Sequence, residues 1–245
     1  MRNYLKADFH RIMTKKSRAL LMLLLTVYAI GSLAIKAGTK DALYMTSEIA
    51  NVLLVYGIAM LIVNLFTVYG DDFRAGSMKT AIGLGLERWK IVVAKVFILS
   101  VTTALDLVFL LAVQMVFLAV LGKLTGGFIF ASVVIYYVET WAQIVMWTSL
   151  ASIVLFWKQK VILGILVYIY LMLNVTEDLI SMAANNPIVG KFQLWKLSSG
   201  TQIEQFFYRL FIGRFDVVSL LGILIYAGAG IGIAIYLFHK KELDF

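Results

Sequence analysis

The sequence of 245 residues contains no cysteine, one proline and two histidines, and only 15% of its residues are charged. Without cysteine, the chain has no disulfide framework, no thiolate metal site and no cysteine nucleophile. His10 and His239 lie near opposite ends of the sequence, so they do not form the closely spaced pair typical of an intramembrane zinc hydrolase. A soluble domain of this length needs more charge to cover its surface, and the composition therefore points away from one.

Apolar residues are abundant: they make up 62% of the chain and give a mean hydropathy of +0.91. One crossing of a bilayer takes about 20 mostly apolar residues. Six runs approach or exceed this length, at residues 19–35, 49–69, 92–121, 128–157, 161–182 and 217–238. Because backbone groups in lipid must be hydrogen-bonded within the chain, we predict six transmembrane helices in one all-α polytopic membrane domain, residues 1–245.

The first 18 residues carry Leu5, Phe9, Ile12 and Met13 at helical spacing against a basic face. This pattern predicts an amphipathic helix over 1–18 that lies in the membrane interface. The alternative is a charged leader that only sets the topology. A cleaved signal peptide is disfavoured, because the next apolar run is long and no A-x-A site comes after it.

The distribution of basic residues predicts the orientation. With six spans, both termini share one side of the membrane, and most of the 22 lysines and arginines fall on that side. The positive-inside bias places both termini and residues 70–90 in the cytoplasm. The net charge of +8 mainly reflects this bias, so we expect no nucleic-acid partner.

Residues 70–90, GDDFRAGSMKTAIGLGLERWK, interrupt the apolar sequence between the second and third spans. An acidic pair and Arg74 are followed by Gly76, by an apolar stretch with Met78, Ala81, Ile82 and Leu84, and by Glu87-Arg88. The pattern predicts a short amphipathic helix bounded by glycines and parallel to the membrane, with its charges facing the cytosol and its apolar residues facing inward. Joined directly to two spans, such a helix would be a rigid lever for a cytosolic partner.

The segment 185–215, between the fifth and sixth spans, is rich in aromatic residues mixed with Lys and Arg. They are Trp195, Phe206, Phe207, Tyr208, Phe211 and Phe215. This composition predicts interfacial helices at the outer leaflet. In the sixth span, Gly228 and Gly232 form a GxxxG pattern with Gly230 between them, which predicts close packing against another helix.

The chain resembles the membrane subunits of ATP-binding-cassette type-2 exporters. The matching residues are Asp72-Phe73-Arg74-Ala75-Gly76 after the second span, then Gly85-Leu86-Glu87-Arg88, then Ala94-Lys95 at the start of the third. The order of the other features is also similar: an N-terminal interfacial helix, six spans, a long outer segment before the last span and a basic tail.

The resemblance implies a second permease subunit, in a homodimer or a heterodimer, and two cytosolic ATPase subunits. In that family the loop after the second span docks into a cleft of the ATPase. Carried over to this sequence, the coupling residues are those at the two motifs: Asp71, Asp72, Arg74, Gly76 and Arg88. ATP and Mg²⁺ would be bound by the ATPase, because this chain has no G-x-x-x-x-G-K-[ST] loop.

The resemblance also implies a class of cargo. Small permeases of this length are similar to those of Gram-positive systems that export peptide toxins or confer immunity to lantibiotics and bacitracin. The expected substrate is therefore an amphipathic peptide, and the expected location is a bacterial cell membrane. We expect the chain to be a transport subunit and not an enzyme, with no catalytic residue, metal or cofactor of its own.

Two acidic residues, Asp106 and Glu139, lie within predicted spans. Counted along an ideal helix from Lys95, Asp106 would be about 16 Å deep, near mid-bilayer. A charge there costs at least ~2.5–3 kcal/mol, so a role is expected. Either the two acids relay protons in an ion-coupled secondary transporter, or they hold the third and fourth spans together beside Gln114 and Gln143.

Overall fold

The computed structural model describes residues 2–36, 42–122, 127–175, 178–179, 182, 196 and 198–241. Every regular element in these ranges is a helix, which confirms the predicted all-α architecture. We number the α-helices in chain order, with one π-helical turn, Phe66–Gly70, between the third and the fourth. The helices are α1 Arg2–Met13, α2 Lys16–Lys36, α3 Ala42–Leu65, α4 Asp71–Ala75, α5 Ser77–Gly83, α6 Arg88–Val120, α7 Gly127–Lys158, α8 Val161–Met172, α9 Ser199–Phe211 and α10 Val217–Lys240.

Five stretches among the described residues are long and apolar enough to cross a membrane. They are Lys16–Ile35, Ser47–Ala75, Arg88–Val120, Phe130–Lys158 and Val217–Lys240. These correspond to five of the six predicted spans and indicate a membrane protein. The remaining predicted span, 161–182, begins with the apolar α8, which has only 12 residues. Several residues of this span beyond α8 lie outside the described ranges, so the count of six stays a prediction.

The chain forms two compact units, and α6 and α7 contribute to both. The N-terminal unit consists of residues 2–68 and 98–141, and the C-terminal unit of residues 69–97 and 142–245.

In the N-terminal unit, α2 packs along α3, and α1 turns one face inward. Ile12 of the predicted apolar face is fully buried, whereas Met13 is exposed. Asp8 is also buried, and it accepts a hydrogen bond of 3.1 Å from Nε of Arg11 one turn later. The amphipathic pattern therefore does form a helix, and its location in a membrane interface stays a prediction.

In the C-terminal unit, three aromatic rings connect distant parts of the chain. The ring centroid of Tyr69 lies 5.7 Å from that of Phe156, which lies 5.0 Å from that of Phe238. All three side chains are essentially inaccessible to solvent. The start of the segment 70–90 is therefore packed against the ends of α7 and α10.

Two helices of the predicted outer segment and last span pack on each other. In α9, Phe206 and Phe207 are buried, while Tyr208 and Phe211 are exposed, as in an amphipathic helix. Residues 185–195 and 197 of the predicted segment lie outside the described residues. α9 packs along α10, where Gly222 lies against the side chain of Gln202.

The close approach in α10 is made by Gly230. A Cβ at Gly230 would lie 2.6 Å from the carbonyl carbon of Ser149 in α7, whereas a Cβ at Gly228 or Gly232 would meet nothing within 4 Å. The sequence pattern correctly predicted a close helix contact. It assigned that contact to the outer two glycines, but the helix turns the middle glycine toward α7.

Candidate functional site

The segment between the second and third predicted spans contains two short helices, where the sequence predicted one. α4 ends at Gly76, which has φ = +63°, and α5 begins at the next residue. A left-handed backbone costs any residue with a Cβ about 1–2 kcal/mol, so a glycine is favoured at this corner. A second left-handed glycine, Gly85 with φ = +88°, precedes α6. The glycines therefore break the segment into a bent, two-helix connection.

Asp72 of α4 is turned toward the interior of the C-terminal unit. Its carboxylate forms an ion pair with Nζ of Lys95 in α6, and it accepts a hydrogen bond of 2.6 Å from Oγ of Ser77. Asp72 is 6% exposed and Lys95 is fully buried. Removing one partner of such a buried pair leaves the other charge without compensation, which costs about 3–5 kcal/mol. The pair ties α4 to α6.

Arg88, at the start of α6, is directed to the end of α10. Its Nη1 donates to the carbonyl oxygens of Phe238, His239 and Lys241 at 3.0, 2.9 and 2.7 Å. The last carbonyl groups of a helix have no partner within the helix and carry partial negative charge, so a guanidinium is a suitable partner for them. Arg88 thereby joins the beginning of α6 to the end of α10.

The most exposed side chains of the segment lie around the turn between α5 and α6. Leu84 is 85% exposed and Trp89 is 47% exposed, and Arg74 of α4 is exposed as well. Hydrogen bonds from Lys90 and from the indole N–H of Trp89 hold the pKa of the exposed Glu87 below its ordinary value. The exposed tip thus combines an apolar residue, an aromatic residue and a carboxylate that stays ionised.

The five predicted coupling residues therefore have different positions. Asp72 and Arg88 bind groups of the same chain, Gly76 makes the corner, Asp71 is half-buried and Arg74 is exposed. The sequence predicted that Leu84 faces inward with the apolar residues of the segment, but Leu84 is 85% exposed because it lies beyond the end of α5 at Gly83. Sequence reasoning did not single out Trp89. Leu84 lies just before Gly85, and Trp89 is the second residue of α6. An apolar residue at a predicted cytosolic turn is the signal that would have identified them.

A second polar cluster lies in the N-terminal unit around Asp106 of α6. The carboxylate forms an ion pair with Nη2 of Arg18 in α2 and accepts a hydrogen bond of 3.3 Å from Nδ2 of Asn64 in α3. Asp106 and Arg18 are 6% and 5% exposed, and Asn64 is fully buried. This cluster connects three helices. Sequence reasoning found Asp106 and missed its partners, because Arg18 fits the topological charge bias without any further role.

The contact with Arg18 places Asp106 beside the third residue of α2, a helix of 21 residues. The depth of Asp106 in a membrane stays a prediction.

Between α6 and α7, side-chain hydrogen bonds are the observed connections. The hydroxyl of Tyr137 donates to Oε1 of Gln114 at 2.7 Å, and the indole N–H of Trp141 donates to the carbonyl oxygen of Ser100 at 3.1 Å. Glu139 is half-buried on the same helix as Tyr137. These bonds join the two helices beside Gln114, and they involve neither Asp106 nor Glu139. Asp106 instead contacts α2 and α3, so a role for the two acids in holding the third and fourth spans together stays a prediction.

Within the part of the chain that the structure describes, no group of three His, Asp or Glu side chains is arranged to hold a metal ion. The two polar clusters instead consist of ion pairs and hydrogen bonds between helices. No protein-family model matches this chain, and no curated protein is significantly similar to it.

Proposed function

We propose that this chain is the membrane-spanning permease subunit of an ATP-binding-cassette transporter, which exports or expels amphipathic peptides. A separate cytosolic ATPase subunit would bind and hydrolyse ATP with Mg²⁺. The observation that carries the proposal is the segment 70–90, which has an exposed tip and is anchored to α6 and α10 by two polar connections.

The anchoring suits the transmission of force. A partner that moves the tip would act on α6 through the pair between Asp72 and Lys95, and on the end of α10 through Arg88. The left-handed backbone at Gly76 and Gly85 ends the helices there, so the rigid parts of the segment are the short helices α4 and α5. The segment is thus held to long helices at its base and is accessible at Leu84 and Trp89.

The energy source is proposed to be another polypeptide, because the sequence has no phosphate-binding loop and no predicted cytosolic stretch large enough for a nucleotide-binding domain. The chain would cross a bacterial cell membrane six times with both termini in the cytoplasm, and pair with a second permease subunit. Amphipathic α9, with exposed Tyr208 and Phe211, supports an amphipathic cargo at the outer leaflet.

Affinity purification of the tagged chain from membranes of its native host, followed by mass spectrometry, tests the proposal. A P-loop ATPase is expected to co-purify with the wild type. Because Arg74 and Leu84 are exposed, Arg74→Glu and Leu84→Asp should reduce the recovered ATPase about tenfold without unfolding the chain. The matched control is Lys160→Glu, which makes the same charge change at an exposed residue outside the segment.

Transport by the purified chain in vesicles distinguishes the alternative, an ion-coupled secondary transporter that uses Asp106 and Glu139. The proposed subunit should move no peptide without its ATPase and ATP, with or without a proton gradient. Uptake that depends on the proton gradient in the absence of the ATPase, and that disappears in Asp106→Asn, would contradict the proposal and establish the ion-coupled mechanism.

A further inference from the structure

In the C-terminal unit, the ends of α7 and α10 each present an exposed aromatic ring with a lysine placed over it. Nζ of Lys158 lies 3.9 Å from the ring centroid of Trp157, and Nζ of Lys240 lies 4.7 Å from that of Tyr236. Trp157 is 49% exposed and Tyr236 is 56% exposed. A lysine in this position is attracted to the face of the ring and keeps its ammonium group accessible. Both helix ends therefore combine an apolar ring with an accessible positive charge.

Hydrogen bonds join these two helix ends to each other and to the start of α6. Nζ of Lys241 donates to the carbonyl oxygen of Trp157 at 3.0 Å, and Nη1 of Arg88 donates to that of Lys241 at 2.7 Å. The start of α6 adds a third pair, in which Nζ of Lys90 lies 5.4 Å from the ring centroid of Trp89. The three pairs therefore lie together at one end of the unit. We call them the lysine–aromatic surface, which consists of Trp89, Lys90, Trp157, Lys158, Tyr236 and Lys240.

The lysine–aromatic surface lies at the ends of three stretches that are long and apolar enough to cross a membrane. Arg88–Val120 begins there, and Phe130–Lys158 and Val217–Lys240 end there. A crossing helix passes from the hydrocarbon into the head-group region at its ends, where amphipathic rings and lysines are the favoured side chains. The position of the surface along these helices thus corresponds to the level of the lipid head groups.

The charge of the surface favours anionic head groups. Lys158 and Lys240 are exposed, and neither is paired with a carboxylate in the part of the chain that the structure describes. Over residues 87–90, 157–160 and 239–245, the sequence has six lysines and arginines and three acidic residues. An ammonium group donates charge-assisted hydrogen bonds to phosphate oxygens. The positive-inside bias predicts that this side is cytoplasmic, where bilayers carry their anionic lipids.

We propose that the lysine–aromatic surface binds the head groups of anionic phospholipids. Lys158 and Lys240 donate to phosphate oxygens, and the rings of Trp157 and Tyr236 lie beside the lipid in the interface. Lipid reaches this surface from the side, because the surface is at the ends of helices that the bilayer surrounds. The proposal does not depend on the ATPase partner, since it rests on the ends of the crossing helices and not on the exposed tip at Leu84.

Native mass spectrometry of the purified full chain in detergent tests this, with dioleoylphosphatidylglycerol and dioleoylphosphatidylcholine as the added lipids. We expect the wild type to bind phosphatidylglycerol about tenfold more tightly than phosphatidylcholine. The double variant Lys158→Gln and Lys240→Gln should lose about tenfold in affinity for phosphatidylglycerol and keep its affinity for phosphatidylcholine. Because both lysines are exposed, its melting temperature should equal that of the wild type. Arginine at the same two positions should restore the preference.

The matched control is the double variant Lys196→Gln and Arg214→Gln. It removes two positive charges from exposed residues of the same unit, but these residues precede α9 and α10 and lie outside the lysine–aromatic surface. It should keep the wild-type preference for phosphatidylglycerol. Equal binding of the two lipids by the wild type, or an equal loss in the two glutamine double variants, would overturn the proposal. Unchanged binding of phosphatidylglycerol in Lys158→Gln and Lys240→Gln would also overturn it, in favour of a protein partner for this surface.

Discussion

Lys95 of α6 is fully buried, and its ammonium group forms an ion pair with the carboxylate of Asp72 in α4. Asp72 lies near the start of the polar segment 70–90 and Lys95 lies just past its end, so their contact closes the segment at its base. The resemblance to exporter permeases implied that Asp72 faces a cytosolic partner. Because Asp72 is buried, a substitution there is expected to disturb the internal structure of the segment before any contact with a partner.

We expect Asp72→Asn and Lys95→Met each to destabilise the protein by about 3–5 kcal/mol, because each leaves a buried charge without its partner. The double variant should recover much of this loss, since neither charge remains. Thermal unfolding of the four proteins in detergent gives the coupling energy. Arg74→Gln, which removes an exposed charge from the same segment, is the control; strictly additive effects would contradict the pairing.

Arg88 is expected to hold the end of α10. Arg88→Gln removes three hydrogen bonds from a charged donor to the carbonyls of Phe238, His239 and Lys241. The amides of the last turn of α10 should then exchange with deuterium about tenfold faster or more. Lys90→Gln serves as the control, because Lys90 lies near the start of the same helix and pairs with Glu87. Equal exchange in wild type and Arg88→Gln would contradict the contact.

Gly230 should tolerate no side chain. The Cβ of Gly230→Ala would lie 2.6 Å from backbone atoms of Ser149, which do not yield easily, so we expect a loss of about 1–3 kcal/mol. For a chain of this size that corresponds to a decrease in melting temperature of roughly 2–4 °C per kcal/mol.

Two glycines of the same helix are matched controls for that experiment. Gly228→Ala and Gly232→Ala place a Cβ in open space and should be neutral or slightly stabilising, because alanine is the better helix former. If either variant lowered the melting temperature as much as Gly230→Ala, the helix would not turn Gly230 alone toward α7, and the contact would be contradicted.

Asp216 caps the beginning of α10 and should make stability depend on pH. Hydrogen bonds from the hydroxyl and the amide of Ser219, together with the nearby guanidinium of Arg209, lower the pKa of Asp216. A carboxyl whose pKa is lowered by folding stabilises the protein above its unfolded pKa of about 4. That contribution is lost as the pH falls through the lower pKa of the folded state.

The measurement compares the melting temperatures of wild type and Asp216→Asn from about pH 7 down to about pH 3. Wild type should be the more stable protein at neutral pH, and the difference should shrink below about pH 4. Asparagine is itself a good N-cap, so the variant keeps the cap and removes only the negative charge. A difference that stays constant over the whole range would rule out this role for the ionised carboxylate.

The positions of the long helices could be predicted from the sequence because bilayer crossing depends on local apolar content over about 20 residues. The apolar runs that begin near residues 19, 49, 92, 128 and 217 all became long helices. The break at Gly76 was not predicted: the segment was predicted as one helix, because no local rule says that a backbone will be left-handed at a given glycine.

What the sequence by itself determined is the helical class, the apolar stretches and the polar segment between two of them. Only the tertiary structure decided that Asp106 meets Arg18, that Arg88 meets the end of α10 and that Gly230 is the close-packed glycine. Each of these pairs is far apart in the sequence. Burial makes such polar contacts obligatory, but the identity of the partner depends on how the helices rotate and pack against each other, which local patterns do not contain.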